Sequence, residues 1–166
     1  MAGPRRSREP KHPLGCHDRA LRLLAVRARS RRELEVRLLR AGFDAEEVHG
    51  ELTRLEEVGL LDDEAFASAL ANHHLNVRGS GRRVAERELY AKGVDRALIE
   101  RTLADHPDDE SGRAEDLARG RVTKLANLPR EKAYARLVSF LARRGYGVAV
   151  AHRAAKRALE LDHPVD

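Results

Sequence analysis

Three glycines, Gly42, Gly93 and Gly145, lie 51 and 52 residues apart, and their surroundings repeat with them. Four residues before each glycine stands a leucine: Leu38, Leu89 and Leu141. Eight before stand Leu34, Ala85 and Leu137; one after, Phe43, Val94 and Tyr146; ten after, Leu52, Leu103 and Ala155. The first two positions fall on one face of a helix. Glycine suits the left-handed residue beyond a last turn, and an apolar neighbour closes the corner. A further helix then returns across the same face. Self-similarity at such a period marks a stack of like units, each too thin to bury its apolar side alone. The spacing predicts an all-α chain: three tandem three-helix repeats in an elongated body. Repeat 1 is placed at 16–61, repeat 2 at 62–107 and repeat 3 at 108–161. A basic tail at 1–15, disordered by composition, precedes them, and a short tail at 162–166 follows. The third repeat is the loosest match, because Gly147 and several alanines thin its last helix.

Local signals agree with this division. Ser30 is placed to cap a helix ending near Gly42, and Asp44, with Glu47 three residues on, to cap the next. Asp62 or Asp63 caps a helix carrying Phe66 and Leu70, and Asp95 starts another. Gly79-Ser80-Gly81 and Leu128-Pro129 are breaks, and His106 to Gly112 reads as a turn-rich linker. No window alternates apolar and polar residues for long enough to make a strand. Aromatic residues are only 4% of the chain and there is no Trp, so the core must be built from Leu, Val and Ala stripes between thin helical layers.

Charge is arranged in blocks. The net formal charge is +5, but residues 119–157 hold eleven Lys and Arg against a single carboxylate, Glu131, whereas residues 43–75 hold nine Asp and Glu against Arg54 alone. Arg143 and Arg144 precede the last corner glycine, and Lys156 and Arg157 sit on the helix after it. Such a block is either a contact face for phosphates or acidic side chains, or a set of solvated helix faces.

Residues able to carry chemistry do not assemble into a catalytic set. Cys16 has only His17 beside it, and His12, Cys16 and His17 lack a second cysteine for zinc. His73 and His74 are adjacent, so their side chains diverge on a helix. Asp62, Asp63 and Glu64 suit a helix N-terminus better than a metal. Gly79-Ser80-Gly81-Arg82-Arg83 fits either an anion-binding turn or a flexible connector, and it lacks the ending of a phosphate-binding loop. A non-enzyme with no metal and no cofactor is expected. There is no apolar leader and no membrane-length stretch, so a soluble, cytoplasmic chain is the simplest expectation. The helical units loosely resemble helix-turn-helix geometry, which keeps a DNA-binding transcription regulator in view.

Four segments, in order, resemble the RecX family. They are ALRLLAVRARSRRELEVRLLRAGF (20–43), GLLDDEAFA (59–67), RGSGRRVAERELYAKGV (78–94) and FLARRGY (140–146). The resemblance covers about residues 17–161. It departs where Gly147-Val148-Ala149 replaces a more polar helix start, and where the glycine-rich turn lacks an aromatic. The resemblance implies a curved array of three-helix repeats lying in the groove of the RecA filament on single-stranded DNA. It further implies inhibition of RecA ATPase and strand exchange in homologous recombination, by a chain that binds DNA only weakly itself and acts as a monomer. Carried to this sequence, it makes Arg82, Arg83, Arg87, Arg143, Arg144, Lys156 and Arg157 contact candidates. Leu61, Asp62, Asp63 and Phe66 match a family motif and are read as cap and core, with Gly42, Gly93 and Gly145 as corners.

Overall fold

The computed structural model describes residues 14–106 and 109–162 and is helical, with no strand among the described residues. Its helices are α1 (Cys16–Val26), α2 (Arg31–Arg40), α3 (Ala45–Glu57), α4 (Asp63–Asn72), α5 (Arg82–Ala91), α6 (Arg96–Asp105), α7 (Glu110–Val122), α8 (Arg130–Arg143) and α9 (Val148–Asp162). A π-helical turn, His73–Val77, extends α4, and a 3₁₀ turn, Thr123–Leu125, extends α7. The tail expected at 1–15 falls outside the described residues up to position 13, and that at 162–166 from position 163. Asp162 itself still belongs to α9.

The chain forms two compact units. Among the described residues, one holds those up to Phe66 together with Lys92–Val94; the other holds Ala67–Ala91 and those from Asp95 onward. In the first unit α1, α2 and α3 enclose Ala20, Leu34, Leu38, Val48, Leu52 and Leu55, all buried. Each leucine there contributes roughly 1.5–3 kcal/mol by leaving water. The α2–α3 corner is a Schellman motif: Gly42 N–H donates to Leu39 C=O at 2.9 Å and Phe43 N–H to Leu38 C=O at 3.4 Å. Ser30 caps α2 through the Glu33 N–H at 3.0 Å, and Asp44 caps α3 through the Glu46 N–H at 2.8 Å. Asp62 is the residue that caps α4, accepting from the Ala65 N–H at 2.8 Å. Its neighbour Asp63 is thereby free to reach back, and accepts from the Arg31 N–H at the start of α2 at 2.7 Å. Ser30 also donates its hydroxyl to the Lys92 carbonyl.

The second unit repeats these last contacts. The Gly81 N–H donates to the Arg144 carbonyl at 2.8 Å, and the Arg82 N–H to Glu110 Oε1 at 3.1 Å. In both units the residue just before a second helix meets the carbonyl beside a corner glycine. In both, the first residue of the helix two further along the chain lends its carboxylate to the open N-terminus of that second helix. Gly81 is needed for this approach, because a Cβ there would overlap the Gly145 carbonyl group. Gly145, at φ +88°, would place its own Cβ 2.5 Å from Val84 Cγ2. Tyr146 is fully buried beneath the turn and donates its hydroxyl to the Gly79 carbonyl at 3.0 Å.

The alanines that thin α9 in the sequence turn out to be its packing surface. Ala114 and Ala118 of α7 face Ala151, Ala154, Ala155 and Ala158 of α9 in one buried cluster, closed by Leu137, Leu141 and Leu159. Small side chains let the two backbones come close, which replaces the missing large ones by area of contact. One expected loop is shorter than the sequence suggested. The linker placed at His106 to Gly112 ends at Asp109, because its carboxylate caps α7 through the Gly112 N–H at 3.1 Å and draws Gly112 into the helix.

Candidate macromolecular interface

The second unit carries all seven of the cations singled out from the sequence, and the structure separates them by task. Arg82 turns inward: its Nη1 donates to the Leu103 carbonyl at the end of α6 at 2.7 Å, and its side chain is half-buried. That use binds α5 to α6 and leaves Arg82 little to offer a partner. Arg83 and Arg87, four residues apart on α5, are exposed. They line a cavity of about 430 Å³ between α5 and α6, together with Tyr90, Arg96 and Ile99 and the carboxylates of Glu86 and Glu100.

At the end of α8, Arg143 is exposed and makes no ion pair or hydrogen bond among the described residues. Arg144 is exposed but held: its Nη1 donates to the Arg78 carbonyl at 2.9 Å, and its guanidinium lies 5.5 Å from the Phe140 ring. Arg121 of α7 covers the same ring at 4.7 Å, so two cations flank one aromatic. On α9, Arg157 approaches Glu115 at 3.6 Å and Lys156 approaches Glu160 at 3.8 Å. Both cations are exposed, only Glu115 among the four being partly buried, so the pairs are weak, worth about 0–1 kcal/mol, and the cations remain available. Lys124, Arg130, Lys132, Arg136 and Arg153 are likewise exposed and form no ion pair among the described residues. The basic block thus reaches the surface of α7–α9 largely unneutralised.

The glycine-rich turn is not an open anion site. Of its N–H groups, that of Ser80 goes to the His74 carbonyl at 2.8 Å and that of Gly81 to Arg144, while the Arg82 N–H is taken by Glu110. The helix N-terminus does bind a carboxylate, as its chemistry suggests, but the carboxylate is the chain's own. The motif residues Leu61, Asp62 and Asp63 serve the fold as core, cap and bridge; Phe66 is half-buried. Burial holds the Asp63 carboxyl above its usual range, against the pull of the Arg31 N–H.

Other reactive side chains are shielded. Burial, then the charges of Glu47 and Glu51, push the Cys16 thiol up to about 11, so it is protonated near neutral pH and a poor nucleophile. The His73 and His74 rings meet edge-on, with centroids 5.6 Å apart, and His74 is buried in the π-helical turn, where its Nδ1 has no hydrogen-bond partner among the described residues. Tyr90 and Arg96 were missed by the sequence reading. Tyr90 stands seven residues from Arg83 and three from Arg87 on one helix face, a spacing that was the available signal. No helix among the described residues is long and apolar enough to cross a membrane.

Comparison with known proteins adds a family relationship. The pattern described as "RecX, first three-helix domain" matches residues 16–55, and that described as "RecX, second three-helix domain" matches residues 62–103. The chain is 45% identical over 138 residues to the regulatory protein RecX of Mycolicibacterium smegmatis, covering 80% of this chain and 73% of that one. It is 38% identical over 141 residues to the regulatory protein RecX of Streptomyces coelicolor, covering 84% and 75%. The crystal structure of RecX from Lactobacillus salivarius shares the fold with a TM-score of 0.79 at 18% identity, over 86% of this chain and 94% of that one.

Proposed function

The chain belongs to the RecX family, and from that membership we propose that it regulates homologous recombination by binding the RecA filament on single-stranded DNA and inhibiting its ATPase and strand exchange. In this reading it works by binding and not by catalysis, as a monomer of three helical repeats at 16–61, 62–107 and 108–161, with weak DNA affinity of its own. The observation that carries the reading past the family name is the largely unneutralised basic surface of α7–α9, to which α5 adds the exposed Arg83 and Arg87. A nucleoprotein filament is a polyanion, and exposed arginines meet both phosphates and carboxylates with a forked pair of donors. Arg83, Arg87, Arg143, Arg144, Lys156 and Arg157 are the proposed contacts; Arg82 is assigned to the fold.

The test is the single-stranded-DNA-dependent ATPase of RecA with and without the full chain. Inhibition at stoichiometric ratios is expected. The double variant Arg143→Glu, Arg144→Glu should inhibit at least about tenfold less, since each reversal replaces an attractive contact by a repulsive one worth 1 kcal/mol or more, while its circular dichroism stays helical. No effect of the parent chain on the ATPase would end the proposal. Sequence-selective binding to duplex DNA in its place would favour the transcription regulator.

A further inference from the structure

We propose that the cavity between α5 and α6 is a stacking site for one base of a single-stranded nucleic acid, with Tyr90 as the platform and Arg83 and Arg87 holding the flanking phosphates. Tyr90 is 73% exposed, and no hydrogen bond or ring contact to it is formed among the described residues. A large ring left open in this way is unusual in a chain with so few aromatics, and burial by a partner is the ordinary reason for it. It does not stand alone. Arg83, Arg87 and Tyr90 share one face of α5, and buried Ile99 forms an apolar floor from α6.

The charges select the ligand. Arg96 and Glu100 are paired at 3.0 Å on an exposed surface. Arg87 meets only Glu88, at 3.7 Å on an exposed surface. The lining as a whole holds three forked cations, Arg83, Arg87 and Arg96, against two carboxylates, Glu86 and Glu100, a balance of +1. A volume of about 430 Å³ lies at the small end of ligand clefts, roughly 300–1,000 Å³. A nucleotide supplies a flat π-face for the ring and a phosphate on either side for the guanidinium groups. An acidic peptide supplies carboxylates but leaves the ring unused. Stacking and phosphate contacts do not read sequence, so the site tolerates any base.

The inference rests on the proposed role only for the setting in which the strand is met, and its test leaves RecA out. Fluorescence anisotropy of labelled oligo(dT) with the full chain gives the affinity directly. Tyr90→Ala should weaken binding about tenfold and leave the salt slope unchanged, while Tyr90→Phe, which keeps the ring, should bind like the parent. Arg83→Ala and Arg87→Ala should each lower the slope of log affinity against log salt by about 0.7, one phosphate apiece. Parent-like oligo(dT) binding by Tyr90→Ala overturns the proposal. So does an equal loss in Tyr90→Phe, or a loss confined to poly-glutamate, which would make the cavity a protein-docking site. Tyr90-dependent oligo(dT) binding with an unchanged RecA ATPase would refute the proposed role and leave this site standing.

Discussion

The α5 N-terminus is seated on the α8–α9 corner by two glycines, and alanine at each tests the seat differently. Gly145 has φ +88° and no room: its Cβ would stand 2.5 Å from Val84 Cγ2 and 2.9 Å from the Val84 N. Left-handed backbone costs a residue with a Cβ roughly 1–2 kcal/mol, and forced overpacking a further 1–3 kcal/mol. Gly145→Ala should therefore cost about 2–5 kcal/mol. Gly81 does not have a positive φ, but its Cβ would overlap the Gly145 carbonyl and threaten the Gly81–Arg144 hydrogen bond. Because the obstacle is backbone, it cannot swing aside, and Gly81→Ala should cost about 1–3 kcal/mol from packing alone. Gly79 is the control within the same unit. It has φ +58°, but its nearest neighbour is Leu117 Cδ1 at an ordinary 3.5 Å, so Gly79→Ala should show only the backbone penalty of about 1–2 kcal/mol. Urea titrations followed by circular dichroism, compared at constant slope, give the three differences. Equal losses for Gly79→Ala and Gly145→Ala, or a neutral Gly81→Ala, would refute the close seating.

Two further outcomes concern ionisation. Burial raises the Asp63 carboxyl, so its charged form is the less favoured one in the folded state, and its contribution to stability is present at low pH and lost as pH rises through the folded value. At neutral pH Asp63→Asn, which keeps the acceptor for Arg31 and removes the buried charge, should match or exceed the parent in urea midpoint, whereas Asp63→Ala should lose about 1 kcal/mol. His74 behaves oppositely in sign of charge. Burial first, then His73 and the cations Arg78 and Arg87, hold it below its ordinary value, against the opposing charge of Glu88. The folded state then binds fewer protons than the unfolded one, so stability falls as pH drops through about 6.5 toward the folded value. His74→Gln should flatten that slope in denaturation curves measured above and below this pH; an unchanged slope would show that the ring is not shielded.

Much of the fold was legible because one rule, apolar residues at fixed offsets from a corner glycine, needs no distant information. Leu34, Leu38, Ala85, Leu89, Leu137 and Leu141 are all completely buried. Caps were equally readable where the side chain acts on its own helix, as at Ser30, Asp44 and Asp95. What escaped depends on contacts across tens of residues. Asp62 and Asp63 are alike in sequence, and only the position of the Arg31 N–H, 32 residues away, separates cap from bridge. The same holds for the candidate interface. Arg82 and Arg83 are neighbours of identical chemistry, and the Leu103 carbonyl decides that one is structural and the other free. The π-helical turn at His73–Val77 left no propensity signal; the Ser80 N–H closes onto the His74 carbonyl within it at 2.8 Å.

The two uses of cationic and anionic chemistry in this chain are connected. A helix N-terminus carries partial positive charge and unpaired N–H groups, and it attracts whatever anion is nearest. At α2 and α5 that anion is supplied from within, by Asp63 and Glu110. The backbone donors are consequently spent on holding successive helices in register, and they are unavailable for a foreign phosphate. Recognition of a polyanion must then fall to side chains that the fold does not need. Those are the exposed cations of α5 and α7–α9, and of the proposed contacts Arg83, Arg87, Arg143, Lys156 and Arg157 can be altered without removing a hydrogen bond to backbone, whereas Arg144 also holds the Arg78 carbonyl.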